Sequence, residues 1–276
     1  KFLNIFHEKN RNLIKVFSQS PPDLIHIHGL WKPITLIGFI LARFFKIKYV
    51  ISPHGMLMSY ALKEKSLKKK IALYLYQKNI INKSSAIIVA SRNEKNAVKN
   101  INKKLNSIIL PHGINFPISV KKKFENKNKI ALFLGRLHPT KGVEDLLKVW
   151  NKIETNNWRL IIAGISHNKM YDEKLKRIAK RSNINFIGPV YGLEKDKLLR
   201  KSNLFILPTK TENFGISILE ALAYKIPVIT TKAAPWSILE EQSIGWWIEN
   251  NYELLNTLKN AVITSNSKLR DMGERS

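Results

Sequence analysis

Residues 130–163 read IALFLGRLHPTKGVEDLLKVWNKIETNNWRLIIA, and the fold can be worked out from this stretch. The apolar run 130–134 predicts a short buried strand, and residues 142–153 have the apolar spacing of an amphipathic helix. A second apolar run, 159–163, follows after a polar turn. A strand, a helix and another strand in this order predict a βαβ unit, in which the strands run parallel.

The same alternation extends toward both ends of the chain. A polar segment rich in lysine and asparagine, residues 118–128, interrupts it and is typical of a linker. The predicted fold class is therefore α/β, with two Rossmann-like doubly wound parallel-sheet domains, 1–117 and 129–276. The predicted strands are 24–28, 49–52, 86–90, 107–110, 130–134, 159–163, 184–187, 204–207 and 228–230, and the predicted helices are 33–45, 63–82, 94–100, 142–153, 171–181, 194–200, 215–224 and, as the last one, 251–264.

The composition allows two modest domains in 276 residues and gives a strongly basic chain. There are 47 lysine and arginine residues against 20 aspartate and glutamate residues, a formal net charge of +27 at pH 7. Such a charge is compatible with a nucleic-acid or anionic-membrane partner. Lysines are scattered from Lys1 to Lys268, however, which favours a general surface bias. No helix-turn-helix, zinc-finger or RNP-type motif supports a nucleic-acid partner.

The absence of cysteine excludes disulfides, thiolate metal sites and a cysteine nucleophile. The longest apolar stretch, 34–45, is interrupted by Arg43 and is too short to cross a bilayer, which takes about 20 apolar residues. No signal peptide is recognisable, so we expect a cytoplasmic protein. The sequence starts at Lys1 without methionine and stops within a polar segment, so we also expect a chain truncated at both ends.

Two carboxylates follow the predicted strand 204–207, and ligands of open parallel sheets bind beyond the carboxyl ends of the strands. Glu212 lies in the loop before the next helix, Phe214 and Gly215 lead into that helix, and Glu220 lies just over one turn inside it. Free amide groups and the helix dipole at Gly215 favour an anion or a sugar oxygen. The two carboxylates are therefore expected to contact different parts of one ligand.

Two cations follow the predicted strand 130–134. Arg136 offers a fixed fork for phosphate oxygens, and Lys141 offers a mobile point charge. Both together at one strand end would suit a diphosphate, whereas the alternative is a solvated basic loop.

Histidines form a third group. His54 follows the predicted strand 49–52, where a histidine is either a packed or solvated residue or a catalytic one. His26 and His28 share one face of a strand and would suit a metal, but no third ligand of clear spacing accompanies them. We therefore expect neither a metal nor another cofactor.

Together these segments resemble the family-4 retaining glycosyltransferases of the GT-B fold, of the bacterial surface-polysaccharide type. The resemblance extends from Asp23 onward, and its specificity comes from the combination of the elements, since two glutamates at this spacing are common. The matching elements are Gly135-Arg136 with Lys141-Gly142, Phe186-Ile187-Gly188, Leu207-Pro208, and the E-x7-E element from Glu212 to Glu220.

This resemblance implies two domains facing a cleft and a metal-independent transfer of a hexose, with retention, from a nucleoside-diphosphate sugar to a glycan or lipid-linked acceptor. It also implies a role for each matching residue. Arg136 and Lys141 would bind the donor diphosphate. Glu212 and His54 would be the catalytic residues at the donor sugar. The remaining expected contacts are Phe214 and Gly215 with the donor sugar, Glu220 with the ribose, and the backbone at Val190 with the nucleobase.

Two features depart from the family pattern. The first strand and its glycine-rich loop do not appear before Asp23, which supports the expectation of truncation. The segment 232–236 stands where many members have a glycine-rich turn followed by Pro-Glu, so the contacts of this loop are open. A basic nucleic-acid-binding protein and an inactive sugar-nucleotide-binding relative are the alternative functions. The presence of Glu212, Arg136 and Lys141 argues against an inactive donor site.

The basic segment Lys63–Lys70 leaves a further choice open. It holds five lysines beside Leu67 and Ile71, with Leu75 following. This face is either solvated or in contact with an anionic membrane that carries a lipid-linked acceptor.

Overall fold

The computed structural model describes residues 8–63, 66–117, 119–120 and 128–276, with side chains from residue 13 onward. Most of the predicted linker 118–128 lies outside the described residues, as do Glu64 and Lys65 of the predicted helix 63–82. The chain divides into two compact units, Lys1–His112 and Gly113–Ser276, which we call the N-terminal unit and the C-terminal unit.

The N-terminal unit contains a four-stranded sheet in the order β1-β2-β3-β4, and every described strand pair is parallel. Its elements are α1 (Glu8–Gln19), β1 (Leu24–His28), α2 (Pro33–Phe44), β2 (Lys48–Ser52), α3 (Ser59–Lys63), α4 (Ser66–Ala72), a π-helical turn (Leu73–Gln77), α5 (Lys78–Asn82), β3 (Ala86–Val89), α6 (Arg92–Ile101) and β4 (Ser107–Ile109).

A buried carboxylate joins two loops of this unit. The hydroxyl of Ser91 accepts a hydrogen bond from the amide of Glu94, which is the standard way to begin a helix such as α6. The carboxylate of Glu94 in turn accepts hydrogen bonds from the amides of Ala90 and Gly55. The end of β3 is therefore tied to the loop that follows β2 and carries His54.

The C-terminal unit contains a six-stranded parallel sheet in the order β10-β9-β8-β5-β6-β7. Its elements are β5 (Lys129–Leu134), a 3-10 turn (Pro139–Lys141), α7 (Val143–Trp150), β6 (Trp158–Ala163), α8 (Lys169–Ile178), β7 (Ile184–Gly188), α9 (Gly192–Lys201), β8 (Leu204–Leu207), α10 (Ile216–Ala223), β9 (Val228–Thr231), α11 (Ile238–Glu241), β10 (Gly245–Ile248), α12 (Leu254–Ile263) and α13 (Asn266–Glu274).

The strand order reverses between β5 and β8. The chain first moves outward through β6 and β7 and then returns to place β8 beside β5. At such a switch point the loops after the two strands diverge, and they leave the crevice in which parallel sheets bind ligands. Helices cover both faces of the central strands, and all four residues of β8 and of β9 are buried.

The α/β fold class with two parallel-sheet units, predicted from the alternation, is confirmed. Four helices and strands were missed, namely α1, α11, β10 and α13. The strand β10 begins with glycine and two tryptophans and lacks a β-branched run, so its sequence carries a weak strand signal. The prediction that 251–264 is the last helix is wrong. In the polar segment after it, Ser265 caps α13, and Leu269 and Met272 bury one face of that helix.

The described part of the predicted helix 63–82 is helical, but its apolar positions do not all face the core. Ile81 is fully buried, whereas Leu67, Ile71 and Leu75 are exposed. Within the described ranges, none of the helices is both long and apolar enough to cross a bilayer.

Candidate active site

The two loops at the switch point of the C-terminal unit, 135–142 after β5 and 208–215 after β8, are bonded to each other. The carbonyl of Thr140 accepts a hydrogen bond of 2.7 Å from the amide of Lys210. The buried hydroxyl of Thr209 lies 3.0 Å from the same carbonyl oxygen. Sequence reasoning missed Thr209, because a threonine after a strand carries no signal of its own.

Gly142 makes the close approach of these loops possible. Its φ of +71° lies in the left-handed region, and a Cβ there would stand 1.9 Å from the carbonyl oxygen of Pro208. Only glycine fits such a position without moving one backbone away from the other. The spacing between the two loops therefore depends on the missing side chain of Gly142.

Lys141 and Glu212 form an ion pair across the two loops. The Lys141 Nζ lies 2.5 Å from the Glu212 Oε2, and the side chains are 15% and 12% exposed. The second oxygen of Glu212 accepts a hydrogen bond of 3.2 Å from the amide of Asn213. Because both charges are largely withdrawn from water, removing either partner would leave the other poorly solvated. The structure thus brings together one predicted phosphate-binding residue and one predicted catalytic residue.

The turn at Phe214 and Gly215 leads directly into α10. Gly215 has a φ of +86°, and the first amides of any helix lack an acceptor within that helix. The indole N–H of Trp236 donates to the carbonyl of Phe214, and the two rings lie 5.4 Å apart. The unusual segment 232–236 therefore supports this turn, and Trp236 is a site residue that sequence reasoning did not assign.

Glu220 lies in a second ion pair, on α10. Its Oε1 is 2.6 Å from the Nζ of Lys195, a residue of α9 that the sequence did not single out. The two side chains line a cavity of about 770 Å³ within the C-terminal unit. The other lining residues are Gly113, Ile114, Asn115, Gly192, Asp196, Leu199, Ile216 and Tyr224.

Polar contacts fix the wall of this cavity. The hydroxyl of Tyr224 donates to Asp196 over 2.6 Å, and the Nε of Arg200 donates to the same carboxylate over 2.8 Å. Burial, together with the hydrogen bond to Asp196, raises the pKa of Tyr224 to about 12. Tyr224 therefore stays protonated at neutral pH.

Arg136 and Val190 stand apart from the two ion pairs. Arg136 is exposed and lines a different cavity, of about 290 Å³, with His138, His167 and Tyr171 among its neighbours. Val190 follows β7 just before α9, and its side chain packs against the hydrophobic core. The side chain of Val190 is partly buried there.

The N-terminal unit places His54 in a cluster with three other histidines. The Nε2 of His54 is 2.9 Å from the Nδ1 of His28, and the two rings are nearly parallel with centroids 5.2 Å apart. His112 stacks on His54 at 5.6 Å, and His26 lies against His28 at 4.0 Å. We call these four residues the histidine cluster. His26, which was weighed with His28 as a metal ligand, also bonds the hydroxyl of Ser52 at 2.8 Å.

The surroundings of His54 disfavour a charge on its ring. Burial lowers the pKa of His54, and the nearby His28 and His112 lower it further, while Glu94 acts in the opposite direction. Among the residues that the structure describes, no group of three or more histidine, cysteine, aspartate or glutamate side chains is arranged to hold a metal ion.

Comparison with known proteins gives the family. Residues 116–276, more than half of the chain, match the family described as Glycosyl transferases group 1. The chain belongs to this glycosyltransferase family. Residues 2–116 match a second family, described as Glycosyltransferase Family 4. The family membership expected from the motifs after β5 and β8 is confirmed at this level.

Individual relatives of this glycosyltransferase agree with the family assignment. An uncharacterised glycosyltransferase of Methanocaldococcus jannaschii is 33% identical over 138 residues, 49% of this chain and 35% of the relative. An uncharacterised 41.2 kDa protein in the cps region of Klebsiella pneumoniae is 27% identical over 241 residues, 80% of this chain and 63% of the relative. The chain thus spans less than two thirds of the length of these relatives.

A solved structure supports the GT-B fold. The Anabaena protein HepE, crystallised with UDP and glucose, superposes with a TM-score of 0.75 at 19% sequence identity. The match covers 95% of this chain and 74% of HepE.

Proposed function

We propose that this glycosyltransferase moves a hexose from a nucleoside-diphosphate sugar to a glycan or lipid-linked acceptor, with retention of configuration and without a metal ion. The observation that carries the proposal is the Lys141–Glu212 ion pair, which lies at the switch point of the sheet beside the start of α10. It combines a cation, a carboxylate and free helix amides in one place.

The donor diphosphate would replace Glu212 as the partner of Lys141. A leaving diphosphate gains negative charge in the transition state, and a fixed cation with helix amides lowers that barrier. Glu212, once released from Lys141, would accept hydrogen bonds from hydroxyl groups of the donor sugar beside Phe214 and Gly215. Arg136 would supply a second cation to the phosphates.

The nucleoside would occupy the cavity between α9 and α10. Glu220 would accept hydrogen bonds from the ribose hydroxyls, and Lys195 would hold that carboxylate in position. The backbone at Val190, just before α9, would contact the base. His54 of the N-terminal unit would act at the donor sugar as the second catalytic residue.

We favour retention without a covalent intermediate, because Glu212 is the one carboxylate that the proposal places at the donor sugar. Retaining hydrolases use two carboxyl groups about 5–5.5 Å apart, one as nucleophile and one as acid. Here Glu212 and Glu220 are each held by a lysine, and the second lies on a helix face that lines the nucleoside cavity. We therefore favour attack of the acceptor on the same face from which the diphosphate leaves.

The configuration of the product and the metal dependence can be tested together. The full-length protein is incubated with UDP-, GDP- and ADP-sugars and an acceptor, and the new glycosidic bond is followed by proton NMR from the first turnover. We expect the anomeric configuration of the donor in the product and an unchanged rate in EDTA. An inverted product, or activity lost in EDTA and restored by a divalent ion, would contradict the proposal.

The acceptor is proposed to be a surface polysaccharide or its lipid-linked precursor, at the cytoplasmic side of the membrane. The relative from the cps region of Klebsiella pneumoniae supports this choice. An exposed apolar stripe on α4 and the π-helical turn supports the membrane contact: Leu67 is 71% exposed, Tyr74 is 88% exposed, and Lys68 and Lys70 flank them on a helical wheel.

Vesicle flotation tests this contact. The variant Leu67→Gln with Tyr74→Ser should lose binding to vesicles with anionic lipid, because it removes the apolar face and keeps the lysines. Tyr252→Ser serves as the control, since Tyr252 is 93% exposed in the C-terminal unit. Equal flotation of both proteins, or flotation that does not depend on anionic lipid, would contradict the membrane contact.

A further inference from the structure

The histidine cluster gathers four of the seven histidines of the chain at one end of one sheet. His28 ends β1, His54 and His112 follow β2 and β4, and His26 lies two residues before His28 within β1, so the parallel strands bring the four rings to the same edge. Only His54 has a place in the function proposed above. The contact between His28 and His54 gives the cluster a further role.

A hydrogen bond between two imidazole nitrogens requires one proton and one lone pair. The His28 Nδ1 and the His54 Nε2 lie 2.9 Å apart, and the planes of the rings differ by only 7°. If both nitrogens carried a proton, the bond would be replaced by repulsion. The pair therefore holds one shared proton, and it leaves the Nδ1 of His54 as the nitrogen that can act on a ligand.

The surroundings of the pair disfavour a charge on His54. The ring of His112 lies 5.6 Å from that of His54, and a second cation there would be repelled. Among the described residues, the carboxylate that acts on His54 is that of Glu94, and its oxygens already accept hydrogen bonds from the amides of Gly55 and Ala90. Glu94 thus holds the loop of His54 without bonding its ring.

We propose that His28 is a positioning residue for His54: it fixes the ring orientation and the tautomer of His54, so that one defined nitrogen faces the donor sugar. This inference rests on the proposed role of His54. The positioning role can be distinguished from packing. It requires a hydrogen bond from one atom of His28, the Nδ1, and does not require the bulk of the ring.

Two substitutions of His28 distinguish the effect of its hydrogen bond to His54 from the effect of its side-chain bulk. His28→Asn keeps a hydrogen-bonding atom near the position of Nδ1 but cannot take a proton. His28→Leu keeps the bulk and loses the bond. His26→Gln is the matched control, because His26 lies on the same face of the same strand but bonds Ser52 instead of His54.

The experiment combines titration and kinetics. The protein is labelled with ¹⁵N-histidine, each ring is titrated by NMR, and kcat and the donor KM are measured across pH. In both His28 variants the pKa of His54 should rise, because a repelling neighbour is gone, and the pH below which transfer is lost should rise with it. In His26→Gln both should stay as in the wild type.

The turnover numbers separate positioning from packing. In His28→Leu kcat should fall about tenfold, the worth of one hydrogen bond, with an unchanged donor KM. His28→Asn should recover most of that loss. Unchanged titration of His54 in both variants would overturn the pairing, and wild-type kcat in His28→Leu would overturn the positioning role. Wild-type transfer by His54→Asn would instead refute the proposed role of His54, whatever the titration shows.

Discussion

The carboxyl ends of the strands carry imidazoles in the N-terminal unit and lysine–glutamate pairs in the C-terminal unit. Both sheets are parallel and both present loops at the same kind of edge. In the first, the ring nitrogens of His28 and His54 lie 2.9 Å apart, and burial lowers the pKa of His54. In the second, Lys141 and Glu212 face each other as full charges that are largely shielded from water.

The difference follows from strand order and loop chemistry. The six-stranded sheet reverses its order between β5 and β8, so two loops from distant parts of the sequence meet at one crevice. The four described strands of the N-terminal unit follow one another in sequence order and contain no such reversal. The same architecture therefore carries ion pairs at the strand ends of one unit and histidines at the strand ends of the other; under the proposed function, the first would bind the diphosphate.

The largest effect is expected from a substitution of Glu212, the carboxylate of the Lys141–Glu212 pair. Glu212→Gln should lower transfer by about a thousandfold. The neutral amide can neither form an ion pair with Lys141 nor stabilise charge at the donor sugar. The fold should be retained, since the amide keeps the shape of the side chain.

The control for this substitution is Glu274→Gln. Glu274 also pairs with a lysine of the C-terminal unit, Lys225, but this pair lies before β9, at the opposite end of the sheet. Steady-state kinetics should show that Glu274→Gln transfers normally. An equal loss of transfer in both variants, or normal transfer in Glu212→Gln, would contradict the assignment of Glu212 to the donor site.

The next effect concerns the spacing of the two loops. Gly142→Ala should destabilise the C-terminal unit by about 3 kcal/mol, because strain at positive φ adds to a clash with the carbonyl of Pro208. Gly188→Ala is the matched control: its φ is +74° and a Cβ there meets nothing within 4 Å. That variant should lose only about 1 kcal/mol in urea unfolding. Similar losses in the two variants would mean that the close approach does not matter.

The smallest effect concerns the pH dependence of the stability of the N-terminal unit. The pKa values of His26 and His54 lie below the ordinary value of 6.5, chiefly because of burial, so below that pH the unfolded chain binds more protons than the folded one. The unfolding free energy of the N-terminal unit should therefore decrease as pH falls from about 6.5 toward these lowered values.

Urea unfolding at pH 7.5, 6.5 and 5.5 can follow each unit separately. A hydrogen-exchange pulse at one fixed pH, read by mass spectrometry, reports on β2 for the N-terminal unit and on β8 for the C-terminal unit. His26→Gln should reduce the pH dependence at β2. A stability at β2 that rises on acidification would show the assigned direction to be wrong.

Sequence patterns were sufficient for the fold and for part of the site. Alternating apolar runs revealed nine of the ten strands of the described chain, because parallel strands are buried on both faces and read as continuous apolar segments. The strand β10 and the helix α13 were missed, because their burial depends on neighbours far away in the sequence.

The partners in the site could not be predicted from the sequence. The motifs indicated Lys141, Glu212 and Glu220, but not that the first two pair with each other or that Lys195 holds the third. Likewise, nothing local connects His28 with His54, which are 26 residues apart and meet only because β1 and β2 are parallel neighbours. Pairing of this kind depends on the register of the sheet.

Calorimetry of nucleoside diphosphate binding tests the central claim, that the Lys141–Glu212 pair of the C-terminal unit belongs to the donor site. UDP, GDP and ADP are titrated into the wild-type protein, Lys141→Met and the control Lys225→Met. The account predicts that Lys141→Met weakens the preferred nucleotide by about 10- to 100-fold, the worth of one charge-assisted contact, while Lys225→Met binds as the wild type does. Equal affinity of Lys141→Met and the wild type would contradict it.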